Sequence, residues 1–365
     1  MAKCCFSFND LALYREAIYI MLDNKYDVDW YIEDVDTHCK EFESTKLKRV
    51  YSLHTIRIGG IDWIKGLISL LWKDYDRYLF LGQSNNISLY VFILLKNFFF
   101  RKKKLYLWSH GWYGKETKFQ GAIKKWLYSH VDGTFVYGDY AIGLMKENCI
   151  DGNKLWPIHN SLNYDEQLRL RNQLTISTVY KDYFKNNNPV IIMIGRLTLR
   201  KHLDLLIRAV ASLKEKGHHY NVVIIGDGED KDKLQSLAVD LGVTDEIWFY
   251  GACYDEKVNA ELLYNADMCV VPGDIGLTAI HSMMFGVPCI THNKLCFQGP
   301  EFEAIKEGVT GSFYDYLDPN SLSEKIDTWF MQHQSNREDV RKACFKEIDT
   351  WWNPYYQMEV LKAHL

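Results

Sequence analysis

The second half of the chain alternates between short apolar runs and amphipathic segments, and this alternation restricts the folds that it can adopt. We predict strands at 190–195, 221–226, 246–251, 267–272 and 288–292, and helices at 202–216, 230–241, 256–265 and 276–286. Strands that alternate with helices of this length form a parallel sheet joined by crossover helices. In such doubly wound sheets, ligands bind beyond the carboxyl ends of the strands.

The first half shows the same pattern less regularly. We predict strands at 4–8, 28–34, 77–83, 104–111 and 133–138, and helices at 11–22, 87–100 and 118–131. A chain of 365 residues is long for a single hydrophobic core. The sequence therefore predicts an α/β protein of two doubly wound, Rossmann-like domains that face each other across a cleft.

A polar, asparagine-rich stretch separates the two halves and is typical of a linker. We predict an N-terminal domain at 1–165, a linker at 166–188 and a C-terminal domain at 189–340. Residues 341–365 contain Pro354, which interrupts a helical pattern. We expect the C-terminal helix to pack back on the N-terminal domain.

Composition excludes several classes of function. The net charge is −4, so no basic surface for nucleic acid is indicated. The nine cysteines form no Cys-x-x-Cys pair, which fits a reducing cytoplasm and gives no metal-ligand spacing. Residues 1–3 lead directly into a strand, so no signal peptide is expected. We expect a cytoplasmic protein that needs no metal or other cofactor.

An apolar segment at 87–100 is followed by the basic run Arg101–Lys104. The segment is too short to span a bilayer, which takes about 20 apolar residues. Two interpretations stay open. The segment is either a buried helix followed by a solvated basic turn, or residues 98–104 make a peripheral contact with the inner face of the cytoplasmic membrane.

Two cations follow the predicted strand at 190–195. Arg196 comes directly after Gly195, and Lys201 comes five residues later. The turn at 273–277 opens another predicted helix, whose first turn offers free N–H groups and about half a positive charge. Arginine and lysine suit phosphate oxygens. These groups at one sheet edge therefore predict a site for a diphosphate, such as that of a nucleotide sugar.

Several motifs occur in an order that resembles one enzyme family. They are GRL-x-x-x-K at 195–201, IIGDGEDKDKLQSLAVDLG at 224–242, FYG at 249–251, YNADMCVVPG at 264–273, GLTAIHSMMFGVPCITH at 276–292 and EAIKEGVTGSFYD at 303–315. Over about 190–330 the chain resembles the donor domain of family 4 retaining glycosyltransferases of the GT-B type. WSHGWYGKE at 108–116 and HNSLNYD at 159–165 resemble segments of the family's N-terminal domain. The whole resembles bacterial enzymes of surface-polysaccharide assembly.

The resemblance implies catalytic roles for three residues. Arg196 and Lys201 match the residues that hold the donor diphosphate, where cations stabilise the leaving group without a metal. His110 matches the histidine of the N-terminal domain that faces the donor sugar. Glu303 matches a glutamate near the donor loop, and Glu301 is a nearby rival.

The N-terminal domain is then the acceptor side, and the C-terminal domain binds the donor. Tyr14 and Arg15 follow the first strand and are expected to line the acceptor side. The remaining implied donor-binding residues are Gly195, Gly226, Gly251, Gly273, Asp274, Gly276, Leu277 and His281.

Two positions depart from the family pattern. Gly273 stands where the family has its first glutamate, which contacts the donor sugar. His281 stands where the second glutamate contacts the ribose hydroxyls. A histidine can still hydrogen-bond a hydroxyl or a phosphate, although His281 also fits a polar residue on a packed helix. We interpret the pair as a variant of the family, with Asp274 next to the missing carboxylate.

These observations predict a metal-independent, retaining glycosyltransferase. It would move a sugar from a nucleotide-diphosphate sugar to a hydroxyl of a growing, lipid-linked glycan. Two alternatives stay open: a nucleotide-sugar 2-epimerase on the same fold, or a non-catalytic nucleotide-sugar binding subunit, which the departures at Gly273 and His281 would fit. A dinucleotide-dependent oxidoreductase is disfavoured because no G-x-G-x-x-G segment follows a strand.

Overall fold

The computed structural model describes residues 2–34, 42–333 and 335–365. The chain forms two units, each with its own sheet. Unit 1 comprises Met1–Asn163 and Asn353–Leu365, and unit 2 comprises Tyr164–Trp352. The predicted α/β class is confirmed in both units.

Unit 1 is built on an eight-stranded sheet. Its strands are β1 (Lys3–Phe8), β2 (Asp27–Glu33), β3 (Val50–Ile58), β4 (Ile61–Lys65), β5 (Arg77–Leu81), β6 (Lys104–Ser109), β7 (Gly133–Val136) and β8 (Leu155–Pro157). The order across the sheet is β4-β3-β2-β1-β5-β6-β7-β8, and all pairs are parallel except the β3–β4 hairpin. The strand order reverses between β1 and β5, which makes that boundary the switch point of the sheet.

Two apolar cores lie on opposite faces of this sheet, because side chains alternate along each strand. Tyr78 and Phe80 of β5 belong to one core, and Leu79 belongs to the other. Among the residues that the structure describes in this part of the chain, four helices follow strands: α1 (Glu16–Lys25), α2 (Ile87–Phe99), α3 (Lys118–Ser129) and α4 (Asp139–Glu147).

Unit 2 is built on a six-stranded, fully parallel sheet. Its strands are β9 (Val190–Ile194), β10 (Asn221–Ile225), β11 (Ile247–Gly251), β12 (Met268–Val270), β13 (Cys289–His292) and β14 (Gly311–Tyr314). The order is β11-β10-β9-β12-β13-β14. This is the Rossmann order, and its switch point lies between β9 and β12.

Eight helices belong to unit 2 in the part of the chain that the structure describes. They are α5 (Tyr164–Arg171), α6 (Val179–Phe184), α7 (Leu203–Glu215), α8 (Lys231–Asp240), α9 (Glu256–Asn265), α10 (Thr278–Met284), α11 (Pro319–His333) and α12 (Arg337–Trp351). The predicted elements between 190 and 292 occur in the predicted order, with ends that differ by one or two residues.

The segment predicted as a linker at 166–188 differs from that prediction. Most of it is helical and belongs to unit 2. The hydroxyl of Tyr180 donates to the carbonyl of Leu262 at 2.5 Å, and Arg171 forms an ion pair with Asp349 at 2.8 Å. Polar residues on the exposed faces of two short helices therefore gave the segment the composition of a linker.

The C-terminal helix is α13 (Pro354–His364), and it belongs to unit 1. Asn353 caps it by accepting from the backbone N–H of Tyr356, and Pro354 occupies its first turn, where no N–H is needed. His364 stacks on Trp156 with ring centroids 4.2 Å apart. The predicted segment began at 341, however, and residues 341–351 are part of α12 in unit 2.

Candidate functional site

The switch point of unit 2 brings together the loops that follow β9 and β12. The backbone N–H of Gly273 donates to the carbonyl of Lys201 at 2.8 Å, and that of Asp274 donates to the carbonyl of Arg200 at 3.2 Å. The loop after β9, which carries the cations, and the loop after β12, which the sequence analysis assigned to donor binding, are therefore joined through their backbones. This edge is where a doubly wound sheet binds ligands.

Lys201 is held at this junction. Its ammonium group donates to the carbonyls of Asp274 at 2.5 Å and Ile275 at 3.4 Å. Burial lowers the pKa of Lys201, and the neighbouring Asp274 partly opposes that shift. No carboxylate of the described residues forms an ion pair with Lys201. Its positive charge is thus partly desolvated and not neutralised.

Arg196 is the exposed cation of the same edge. It follows Gly195 at the end of β9, and its side chain is exposed. Within 2–34, 42–333 and 335–365, its guanidinium has neither a hydrogen-bond partner nor an ion pair. The arginine fork is therefore available to an anion.

Glycines allow the loops at this edge to approach closely. The N–H of Gly226 donates to the carbonyl of Gly251 at 2.8 Å, and a Cβ at Gly226 would lie 1.9 Å from the carbonyl oxygen of Gly195. A Cβ at Gly273 would likewise lie 1.9 Å from the carbonyl oxygen of Arg200. The departure from the family pattern at Gly273 thus coincides with a backbone contact that leaves no room for a side chain.

Asp274 is engaged by its own neighbours. One carboxylate oxygen accepts from Arg200 at 2.5 Å, and the other accepts from the N–H of Gly299 at 2.8 Å. It therefore joins the loops after β9, β12 and β13. Gly276 and Leu277 follow it and lie half-buried just before α10.

The two rival glutamates lie in the turn Pro300–Ala304. Glu301 is buried, whereas Glu303 is half-buried. Glu301, not Glu303, is among the charges that act on the pKa of Lys201. Glu301 is therefore the glutamate electrostatically linked to the diphosphate-binding candidates.

His281 on α10 pairs with a carboxylate that the sequence analysis missed. Its Nε2 lies 2.9 Å from a carboxylate oxygen of Glu256, which also accepts from the side chain of Gln167 at 2.8 Å. Burial raises the pKa of Glu256, but His281 and Gln167 outweigh burial and lower it. The signal available in the sequence was the place of Glu256, at the start of α9 and just beyond the carboxyl end of β11.

Unit 1 has a cavity of about 390 Å³ at its own switch point. It lies at the carboxyl ends of β1, β5 and β6, and three predicted residues line it: Tyr14, Arg15 and His110. His110 follows β6, and its ring lies 4.6 Å from the ring of Tyr137. The predicted site residues therefore divide into two groups, one at the carboxyl edge of each sheet.

The described residues contain neither a candidate metal site nor a membrane-spanning helix. No group of three histidine, cysteine, aspartate or glutamate side chains there is arranged to hold a metal ion. No helix among them is long and apolar enough to cross a membrane.

Comparison with known proteins identifies the sequence pattern of unit 2. Residues 180–346 match the family described as glycosyl transferases group 1. A glycosyltransferase of Methanocaldococcus jannaschii, described as uncharacterized, is 27% identical over 180 residues, which are 48% of this chain and 43% of that protein. The GDP-mannose-dependent alpha-(1-6)-phosphatidylinositol dimannoside mannosyltransferase of Mycobacterium tuberculosis is 33% identical over 170 residues, which are 44% of this chain and 40% of that protein. The chain thus spans about two fifths of the length of these curated relatives.

Comparison of structures concerns the whole chain. The Anabaena protein HepE, solved in complex with UDP, matches with a TM-score of 0.72 and 14% identity. The match covers 100% of this chain and 99% of that one. The fold is that of the GT-B glycosyltransferases.

Proposed function

We propose that this protein is a glycosyltransferase that moves a sugar from a nucleotide-diphosphate sugar to a hydroxyl of an acceptor glycan. The observation that carries the proposal is the match of residues 180–346 to group 1 glycosyl transferases, because this segment contains Arg196, Lys201 and the loops joined at the switch point. The UDP bound to HepE, a protein of the same fold, supports a nucleotide donor.

In this proposal Arg196 and Lys201 bind the donor diphosphate. Negative charge grows on the diphosphate as its bond to the sugar breaks, and cations already in position stabilise that charge. The desolvated ammonium of Lys201 attracts an anion more strongly than a solvated one would. The reaction is retaining and independent of metal, with the acceptor hydroxyl attacking the face from which the diphosphate leaves.

The remaining predicted residues surround the donor. His281, oriented by Glu256, offers a ring nitrogen to a hydroxyl of the nucleotide or sugar. The backbones at Gly195, Gly226, Gly251 and Gly276 allow close approach of the ligand. Leu277, Asp274 and Glu303 complete the proposed donor site, with Glu301 as the alternative to Glu303.

The cavity of unit 1 is the proposed acceptor site, with Tyr14, Arg15 and His110 in its lining. The relative from Mycobacterium tuberculosis is named for a lipid-linked mannoside, which supports a lipid-linked glycan as the acceptor. We place the reaction in the cytoplasm, in surface-polysaccharide synthesis.

Residues 98–104 support a proposed peripheral contact with the inner face of the cytoplasmic membrane. Phe98 and Phe99 are 70% and 66% exposed at the end of α2, and Arg101 and Lys102 are exposed beside them. Exposed aromatic rings next to cations suit an interface with anionic lipids. Phe98→Ser with Phe99→Ser should lower co-sedimentation with phosphatidylglycerol vesicles severalfold, whereas unchanged co-sedimentation would remove the contact.

Calorimetric titration with UDP, GDP, CDP and ADP tests the proposed function. One diphosphate should bind in the presence of EDTA, and Arg196→Ala should weaken its binding at least tenfold. Arg208→Ala, which removes an exposed cation from α7, is the matched control and should bind as the wild type does.

Product analysis then separates the alternatives. Transfer to an acceptor supports the glycosyltransferase, conversion of the donor sugar without an acceptor supports the epimerase, and binding without turnover supports a non-catalytic subunit. Failure of all four nucleotides to bind would overturn the proposal.

A further inference from the structure

We propose that the cavity of unit 1 selects an acceptor that carries a negative charge, a carboxylate or a phosphate, and that Arg15 recognises this charge. The inference rests on the proposed function, because it names the chemical class of the molecule bound at the proposed acceptor site. Arg15 is buried in this cavity and has no ion-pair partner among the described residues.

Arg15 is only 8% exposed and lines the cavity. Its Nε atom is buried with no hydrogen-bond partner. Among the residues that the structure describes, no aspartate or glutamate forms an ion pair with it. A buried cation normally has a carboxylate partner, because an unpaired charge is costly to remove from water.

Aromatic rings stabilise the buried guanidinium of Arg15 only in part. The guanidinium carbon lies 5.0 Å from the ring centre of Tyr14, 5.9 Å from that of Trp108 and 5.2 Å from that of Tyr137. Cation–π contacts of this length are favourable, but they give the Nε–H donor of Arg15 no hydrogen-bond acceptor. Burial raises the pKa of the adjacent Tyr19 to about 12, so its hydroxyl stays neutral and cannot balance the charge.

The other charged groups of the cavity do not neutralise Arg15. Lys124 is paired with Glu116 at 2.6 Å and also donates to the carbonyl of Gly111 at 2.8 Å. Asp10 is the acidic residue in the lining, and it forms no ion pair with Arg15. Among the described residues, Arg15 is therefore a cation of the lining to which no carboxylate is directly paired.

The rest of the lining suits a sugar. Hydroxyl and amide groups of Gln83, Asn85 and Ser109 can hydrogen-bond hydroxyls, and the rings of Tyr14 and Tyr137 offer apolar faces. A volume of about 390 Å³ is in the range of small-molecule sites. A glycan with a carboxylate or phosphate meets both requirements, since either anion accepts two hydrogen bonds from one guanidinium.

Binding of three probes tests this proposal: methyl glucoside, methyl glucuronide and glucose 1-phosphate. The wild type should bind at least one charged probe about tenfold or more tightly than the neutral one. The charged probe that binds better distinguishes a carboxylate from a phosphate. Arg15→Met should remove the preference, and Arg15→Lys should keep part of it.

Stability provides a second readout. In the absence of ligand, Arg15→Met should raise the melting temperature, because it removes an unpaired buried charge. A structural role would lower it instead. Lys25→Gln, which removes an exposed cation at the far end of α1, is the control and should change neither measurement.

Nucleotide binding separates this proposal from the proposed function. Arg15→Met should bind the nucleoside diphosphate as tightly as the wild type does. Weaker binding would mean that Arg15 serves the donor phosphates, and equal binding of neutral and charged probes by the wild type would also overturn the inference. Neither result would contradict donor binding or sugar transfer. The proposed function fails only when the wild type lacks nucleotide binding or transfer.

Discussion

The two sheets place a site at the same topological position, but the two sites are built differently. In unit 2 the loops after β9 and β12 touch through backbone atoms, with a glycine at the point of contact. In unit 1 the side chains of Tyr14, Arg15 and His110 line a cavity at the switch point. Topology thus decides where a ligand lies, whereas the loop residues decide whether backbone or side chains determine what binds.

One buried group in each unit, Glu33 and His292, also responds to pH in the opposite direction to the other. Burial raises the pKa of Glu33, at the end of β2, to about 7. Burial lowers the pKa of His292, at the end of β13, to about 4. Between pH 7 and 4.5 the folded chain binds more protons at Glu33 than the unfolded chain does, so the contribution of Glu33 to stability grows on acidification. Between pH 6.5 and 4 the unfolded chain binds more protons at His292, so the contribution of His292 to stability falls on acidification.

The stability of Glu33→Gln and that of His292→Asn, each relative to the wild type, should therefore change with pH in opposite directions. Relative to the wild type, Glu33→Gln should gain stability as the pH rises from 4.5 to 7, by up to about 3 kcal/mol. His292→Asn should gain a similar amount as the pH falls from 6.5 to 4. Urea unfolding at pH 4 and pH 8 measures both changes in the free energy of unfolding. A change of the same sign in the two variants would contradict the contrast between Glu33 and His292.

Lys201→Met tests the cation that the backbone holds in unit 2. Transfer should slow by roughly 100-fold, because in the proposed mechanism the ammonium stabilises the leaving diphosphate. Arg200→Met removes the neighbouring, 79% exposed cation and should slow transfer less than about threefold. Equal losses would indicate that general positive potential, and not the position of Lys201, matters at this edge.

Alanine substitutions at two glycines test the backbone contact itself. Gly273→Ala should lower the free energy of unfolding by about 1–3 kcal/mol, because its Cβ would overlap the carbonyl of Arg200. Gly143→Ala, in α4 of unit 1, has open space around its Cβ and should raise it by about 0.5–1 kcal/mol. Thermal unfolding measures both, and a neutral Gly273→Ala would show that the loops of unit 2 can separate easily.

The sequence predicted unit 2 well because its strands are apolar throughout, as strands covered on both faces must be. It missed β14, a strand of only four residues, and α11, whose apolar positions recur at helical spacing among polar residues. It also joined most of α12 to the C-terminal helix. In unit 1 the β3–β4 hairpin was missed, because much of it is exposed and its composition is mixed.

The candidate sites were predictable only where a motif is local in sequence. Arg196 and Lys201 follow one strand, so their shared edge could be inferred from topology. His281 pairs with Glu256, which lies 25 positions away on a separate helix. Neither local sequence pattern predicts this pairing. The missing counter-charge of Arg15 likewise depends on which distant side chains surround it, and a sequence does not record that.

The position of α13 has a consequence for synthesis. Ser161 donates a hydrogen bond to Gln357 at 2.7 Å, and Arg77 donates to the carbonyl of Leu365. Unit 1 therefore receives its last helix only after every residue of unit 2 has left the ribosome. A nascent chain passes through a stage in which unit 2 can already be complete while unit 1 still exposes the apolar surface that α13 will cover.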